Sequence, residues 1–246
     1  RLVEKHLFSL RQIYLSFCLY QVLFYSFFSI TGIRQGIATI ATFYCFYLIK
    51  ENKFFSFIVI LCITSLIHKS VLLFLPFYFI AKIPKSKYFL LGVLVAFPIL
   101  FGFARQLALF MVDFSGAEQY RAYAESEMET GGAVNFMVLM LTIAVLTWNA
   151  KRKNKDSIPD SIVSAIALAV IFTPMMWVDT SLMRVIQYFS IFSLISLPLA
   201  VDNFSRNQIL NEMLYWTLWM IFIGVTIRHN YDYAFLWDNV DIPITH

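Results

Sequence analysis

Residues 29–39 read SITGIRQGIAT and set a lone arginine, Arg34, between two runs apolar enough to dissolve in a lipid bilayer. A guanidinium is a planar fork that donates two parallel hydrogen bonds to a phosphate and keeps its charge when buried. Arg34 and a second lone arginine, Arg184, are therefore candidate phosphate readers. His68, followed by Lys69, interrupts another apolar run, and an imidazole with an ordinary pKa near about 6.5 can take a proton from an attacking hydroxyl. Arginines that neutralise a phosphate leaving group, with a base beside them, describe group transfer to a hydroxyl. Other readings stay open at this point. An arginine at a helix end also snorkels to lipid phosphates, and a helix-end histidine also serves by bonding a backbone carbonyl. For Arg228, which precedes Tyr231, Tyr233 and Trp237, membrane anchoring is the favoured reading, because a basic residue beside an aromatic belt is ordinary at the lipid surface.

The elements that must position these groups are helices in a membrane. Of 246 residues, 60% are hydrophobic, 18% aromatic and only 14% charged, with a mean hydropathy of +0.71. That is more apolar surface than a soluble domain of this size can bury. Apolar runs fall at 13–30, 36–49, 54–67, 70–82, 88–103, 133–149, 160–178, 184–201 and 209–227. They predict an all-α fold, a polytopic transmembrane helical bundle of about nine spanning or hairpin segments, with no room for a soluble domain. Residues 1–246 read as a single integral membrane domain. Because the chain begins at Arg1 without a methionine and enters a span almost at once, an N-terminally truncated fragment is expected. Neither signal peptide nor lipidation signal is visible.

The basic residues orient the bundle. With a cytoplasmic N-terminus, the inner loops hold Arg1, Lys5, Arg11, Lys50, Lys53, Lys82, Lys85, Lys87, Lys151, Arg152, Lys153, Lys155 and Arg206, thirteen of the nineteen Lys and Arg. The outside keeps Arg34, Lys69, Arg105, Arg121, Arg184 and Arg228, as the positive-inside rule demands. The net charge of +4 then reflects topology, and nucleic-acid binding is excluded. Phe54 to Ile80 could be drawn as one helix, but that would sink His68 and Lys69 near the bilayer centre, where a charge costs about 2.5–3.5 kcal/mol. A helical hairpin with His68 at its outer turn is expected, its short arms holding the turn below the outer membrane surface, with a kink at Pro76. Residues 104–132 are too charged to span. Leu107, Phe110, Met111 and Phe114 at i, i+3, i+4, i+7 predict an interfacial amphipathic helix leading an outward-facing loop. Cys18, Cys45 and Cys62 read as small buried hydrophobes, and no His, Asp, Glu or Cys spacing suits a metal.

Four motifs carry a family likeness: GIRQGIA at 32–38, IHKSVLLFLP at 67–76, YRAYAESEMETGG at 120–132 and MRVIQYF at 183–189. In this order they resemble the EpsG-like family of exopolysaccharide polymerases, relatives of Wzy-type O-antigen polymerases, from about Gly32 to Tyr188 and more weakly to the end. The resemblance implies a GT-C-like polymerase architecture in the bacterial cytoplasmic (inner) membrane. It implies a glycosyltransferase, without cofactor or metal, that joins undecaprenyl-diphosphate-linked repeat units at the outer face for exopolysaccharide, capsule or O-antigen synthesis. A flippase and a chain-length regulator are the partners it suggests. Within that frame Arg34 and Arg184 neutralise the departing diphosphate and His68 deprotonates the acceptor hydroxyl. Gln35, Lys69, Tyr188 and Arg228 are expected to touch substrate, while Tyr120, Arg121 and Tyr123 line the sugar path and Gly131-Gly132 hinge a lid. A flippase of lipid-linked oligosaccharide and an O-antigen ligase are the rival readings.

Overall fold

The computed structural model describes residues 9–25, 32–106, 109–110, 133–177 and 183–228. Most of the expected amphipathic segment and outer loop, with Tyr120, Arg121, Tyr123 and Gly131-Gly132, lies outside the described residues. Those described are helical. In chain order they form α1 (Leu10–Leu23), α2 (Ile33–Lys50), α3 (Phe54–Ile67), a 3-10 helix (Lys69–Phe74), α4 (Phe77–Ile80) and α5 (Phe89–Gly102). Then come α6 (Ala133–Lys153), α7 (Asp160–Phe172), a 3-10 helix (Thr173–Trp177), α8 (Met183–Ser190), α9 (Ser193–Asp202) and α10 (Gln208–Arg228).

Local chemistry sets the boundaries. α1 opens with a capping box, in which the Ser9 hydroxyl accepts from the Gln12 N–H and the Gln12 side chain accepts from the Ser9 N–H. α2 closes on Asn52, whose φ of 58° is the left-handed conformation that asparagine tolerates. There the Lys53 N–H bonds the Leu48 carbonyl and the Asn52 N–H bonds the Ile49 carbonyl, a Schellman closure that lets α3 fold straight back against α2.

The hairpin expected at His68 is present. α3 ends at Ile67, and the Phe54 ring lies 4.8 Å from that of Tyr78 while Phe57 lies 6.3 Å from Phe74. Lys82 Nζ donates to Asn52 Oδ1 at 2.7 Å, so the returning arm runs antiparallel to α3 and both lysine groups sit at one end. Pro76 separates the 3-10 helix from α4, where the kink was expected.

Among the described residues each of the nine predicted segments contains helix, yet the helices differ in reach. Among the described residues two, α6 and α10, are long and apolar enough to cross a membrane by themselves. α8 and α9, bent by 46° at Ile191-Phe192, make a third when taken as one span. The ladder there changes from i−4 to i−3 partners, with Phe192 N–H on Phe189 O and Leu194 N–H on Ile191 O, which tightens the turn and bends the axis. Four further apolar stretches, Phe54–Ile67, Lys69–Ile80, Phe89–Gly102 and Asp160–Met176, are helices of 10–17 residues, the first of them stopped at His68. Among the described residues, then, two helices, or three with the bent pair, have the reach of a full span.

The bent pair is the axis of the bundle. Every residue from Val185 to Val201 is buried, as for a helix apolar on all sides. α2, α6 and α7 pack around it with the 3-10 helix after His68, and α1 and α10 close the remaining side. Ser190, Ser193 and Ser196 are fully buried along the pair, and such small residues allow α9 to approach α6 closely. Of the cysteines, Cys45 is buried as expected, whereas Cys62 is exposed on the outward side of α3.

Candidate functional site

Arg34 and Gln35 lie in the first turn of α2, after Gly32, which offers no side chain to cap it. Arg184 lies in the first turn of α8. Both helices start at the same end of the bundle, adding the positive ends of their dipoles to two guanidinium charges. His68 is held there by the α3 terminus: its N–H bonds the Thr64 carbonyl at 3.0 Å, and its own carbonyl accepts from Val71 at 3.2 Å. Three segments distant in sequence thus deliver Arg34, His68 and Arg184 to one place.

A chain of hydrogen bonds joins the same three segments. The Arg184 carbonyl can only accept, so the amide nitrogen of Gln35 faces it and donates at 2.7 Å. That turns Gln35 Oε1 toward the Tyr188 hydroxyl, which donates to it at 3.3 Å. With its proton committed, the Tyr188 oxygen accepts from Ser70 Oγ at 2.8 Å. Gln35 is 3% exposed and Tyr188 fully buried.

His68 is half-buried, with Nε2 enclosed and without a hydrogen-bond partner among the described residues. Burial first, then the charges of Arg184 and Arg34, hold this imidazole, in the turn between two helices, below its ordinary value. It is therefore neutral near pH 7 and carries a free ring nitrogen, the state required of a base. Lys69, next to it, is exposed, as is Arg34, and neither has an ion-pair partner among the described residues. All described carboxylates, Glu51, Asp156, Asp160, Asp202 and Glu212, sit at the other end.

The remaining predicted residues divide. Arg228 ends α10, which packs mainly on α1 and α9, and it is exposed outside the hydrogen-bonded group. Ser70 was not singled out from the sequence; its place directly after His68-Lys69 was the available signal. Gln187, also missed, is fully buried with neither amide atom bonded, and we have no physical account of it. A small apolar pocket among Phe89, Val93, Thr147 and Trp148 lies toward the lysine-rich end and contains none of the candidates. Among the described residues no three His, Cys, Asp or Glu side chains gather as metal ligands.

Helices this apolar, with a cationic cluster at one end and clustered lysines at the other, define a membrane protein. The chain belongs to the EpsG family, the exopolysaccharide polymerase family, whose model matches residues 3–239. No curated protein and no solved structure matches it.

Proposed function

We propose that the protein is a polysaccharide polymerase that joins glycan repeat units carried on undecaprenyl diphosphate, working at the outer face of the bacterial cytoplasmic membrane. One observation carries the reading: an unprotonated histidine with an unpartnered Nε2 stands within electrostatic reach of two arginines from separate helices. The acceptor sugar hydroxyl gives its proton to the partly exposed His68 imidazole and its oxygen attacks the anomeric carbon of the donor. The bond from that carbon to the diphosphate oxygen breaks, and undecaprenyl diphosphate leaves with the bonding electrons. Arg34 and Arg184 stabilise the charge that develops there, commonly the largest single contribution to such catalysis. Lys69 adds charge at the rim. The outer loop with Tyr120, Arg121 and Tyr123 offers aromatic faces to pyranose rings, and Arg228 lies at the lipid surface. A GT-C-like arrangement of helices accompanies this reading, and a flippase and a chain-length regulator are its expected partners.

The test needs no nucleotide sugar and no ATP. Purified protein in detergent, given only undecaprenyl-diphosphate repeat units, converts them into a ladder of longer glycans and releases undecaprenyl diphosphate. A ligase gives one transfer to a different acceptor and no ladder. A flippase forms no bond and needs two compartments, so repeat units that return unextended in detergent but cross the bilayer of reconstituted vesicles overturn the proposal.

A further inference from the structure

Gln35 and Tyr188 have the residue types of substrate ligands, yet neither has a polar atom to spare in the arrangement described above. Gln35 gives its donor to the Arg184 carbonyl and its acceptor to Tyr188, and Tyr188 gives its proton to Gln35 while taking one from Ser70. Their burial leaves no side open to an incoming glycan. The members also lie close in sequence to the three candidate groups: Gln35 follows Arg34, Ser70 follows His68 by two, and Tyr188 stands one helical turn after Arg184, whose carbonyl Gln35 bonds. Gln35 grips α8 at two points one turn apart, the carbonyl of residue 184 and the side chain of residue 188. That fixes both the rotation of α8 and its height beside α2.

We propose that Gln35, Tyr188 and Ser70 are positioning residues, a neutral clamp that holds Arg34, His68 and Arg184 in one mutual placement without touching the substrate. The proposal deepens the polymerase reading, on which only its kinetic arm rests. A neutral clamp suits the place. Buried in low dielectric, its bonds are strong and costly to leave unmade, and it adds no carboxylate that would neutralise the arginines. The 3-10 helix that carries Ser70 is itself anchored, with Val71 and Phe74 fully buried, so a bond at Ser70 reports directly on the position of His68.

Two readouts on the purified protein test this, with Tyr188→Phe, Ser70→Ala and Ser70→Thr as variants. The first is the pH dependence of diethyl pyrocarbonate modification at His68, read by mass spectrometry of its peptide, which requires no catalysis. Burial first, and then the arginines on α8 and α2, hold the His68 midpoint down, with Lys69 beside it, so a loosened placement that admits water and lets the cations move away raises it toward about 6.5. Tyr188→Phe and Ser70→Ala show this rise, and Ser70→Thr, which keeps the hydroxyl, does not. The second is steady-state polymerisation. The same two variants lose kcat by about 10–100-fold, the scale of a misplacement near 1 Å, at unchanged KM for the lipid-linked repeat unit. Because Ser70 acts through Tyr188, the double variant is no worse than Tyr188→Phe alone. A raised KM with unchanged kcat would mean that Tyr188 touches substrate and overturns the clamp, as does an unmoved His68 midpoint in both variants. A shifted midpoint in a protein that makes no polymer leaves the clamp standing and removes the polymerase reading.

Discussion

At the lysine-rich end of the bundle, charged groups help to tie the helices together. Arg11 pairs with Glu212 and lies 4.2 Å over the Tyr215 ring, Gln12 donates to Asp202 at 2.6 Å, and Lys151 meets Asp160 at 2.8 Å. These contacts join α1, α9 and α10 on one side and α6 to α7 on the other. At the His68 end the clamp that joins α2, α8 and the hairpin is neutral, and no carboxylate stands there among the described residues. The contrast separates fastening from function. Where helices are tied by ion pairs, as at Arg11 and Lys151, cation and carboxylate come together, whereas the described fastening beside Arg34, His68 and Arg184 is made by uncharged groups.

The contrast fails outright if the two ends do not face opposite compartments. Single cysteines in place of Lys69 and Lys155 are expected to divide completely in intact cells, the first reacting with an impermeant thiol reagent and the second protected. The reverse pattern would discard every outer-face assignment. Next in size is His68→Gln, which keeps a hydrogen bond but no basicity near neutral pH. It should slow polymerisation by about 10²–10⁴-fold, the usual worth of a positioned general base, while the lipid-linked donor still binds. Full activity would demote the histidine to a helix terminator.

Arg34→Gln and Arg184→Gln sharpen the same point through pH. His68 works unprotonated, so activity falls as pH drops through its pKa, and burial with two cations places that acid limb below about 6.5. Removing either cation raises the limb in the residual activity, and replacing it with lysine returns the limb but little of the rate, for want of a bidentate fork. The smallest effect is expected at the other end. Glu212→Gln breaks the exposed pair with Arg11 and should cost less than about 1 kcal/mol in stability, with polymerisation unchanged. A large loss of activity there would erase the distinction between the ends.

Much of the fold was legible because membrane insertion writes itself into sequence as apolar length punctuated by charge. The turn at His68 could be read from a charged lysine and a polar imidazole that a bilayer centre would not hold, and Pro76 marked the break after it. The bend at Ile191-Phe192 was not legible, because neither glycine nor proline stands at the break and its cause is a change of hydrogen-bond partner in the backbone. The site was legible by residue type and not by wiring. Arg34, His68 and Arg184 stood out as polar side chains, two of them charged, in apolar surroundings. Ser70 is an ordinary loop residue until Tyr188, 118 positions later, is brought to it, and Gln35 cannot be told from a substrate ligand until both ends of its amide are seen to be occupied.

The hairpin that presents His68 also makes the thickness of the surrounding lipid a variable. A helix of 14 residues rises about 21 Å, against a hydrocarbon layer of about 30 Å. With Lys53 at one boundary, the turn stops roughly 9 Å short of the other, and the bilayer must thin locally or admit water to reach it. Longer acyl chains deepen that well and shorter ones make it shallower. If the polymerase proposal holds, cells that remodel their fatty acids with temperature would thereby change the depth to which a growing glycan must reach, with no change in the protein at all.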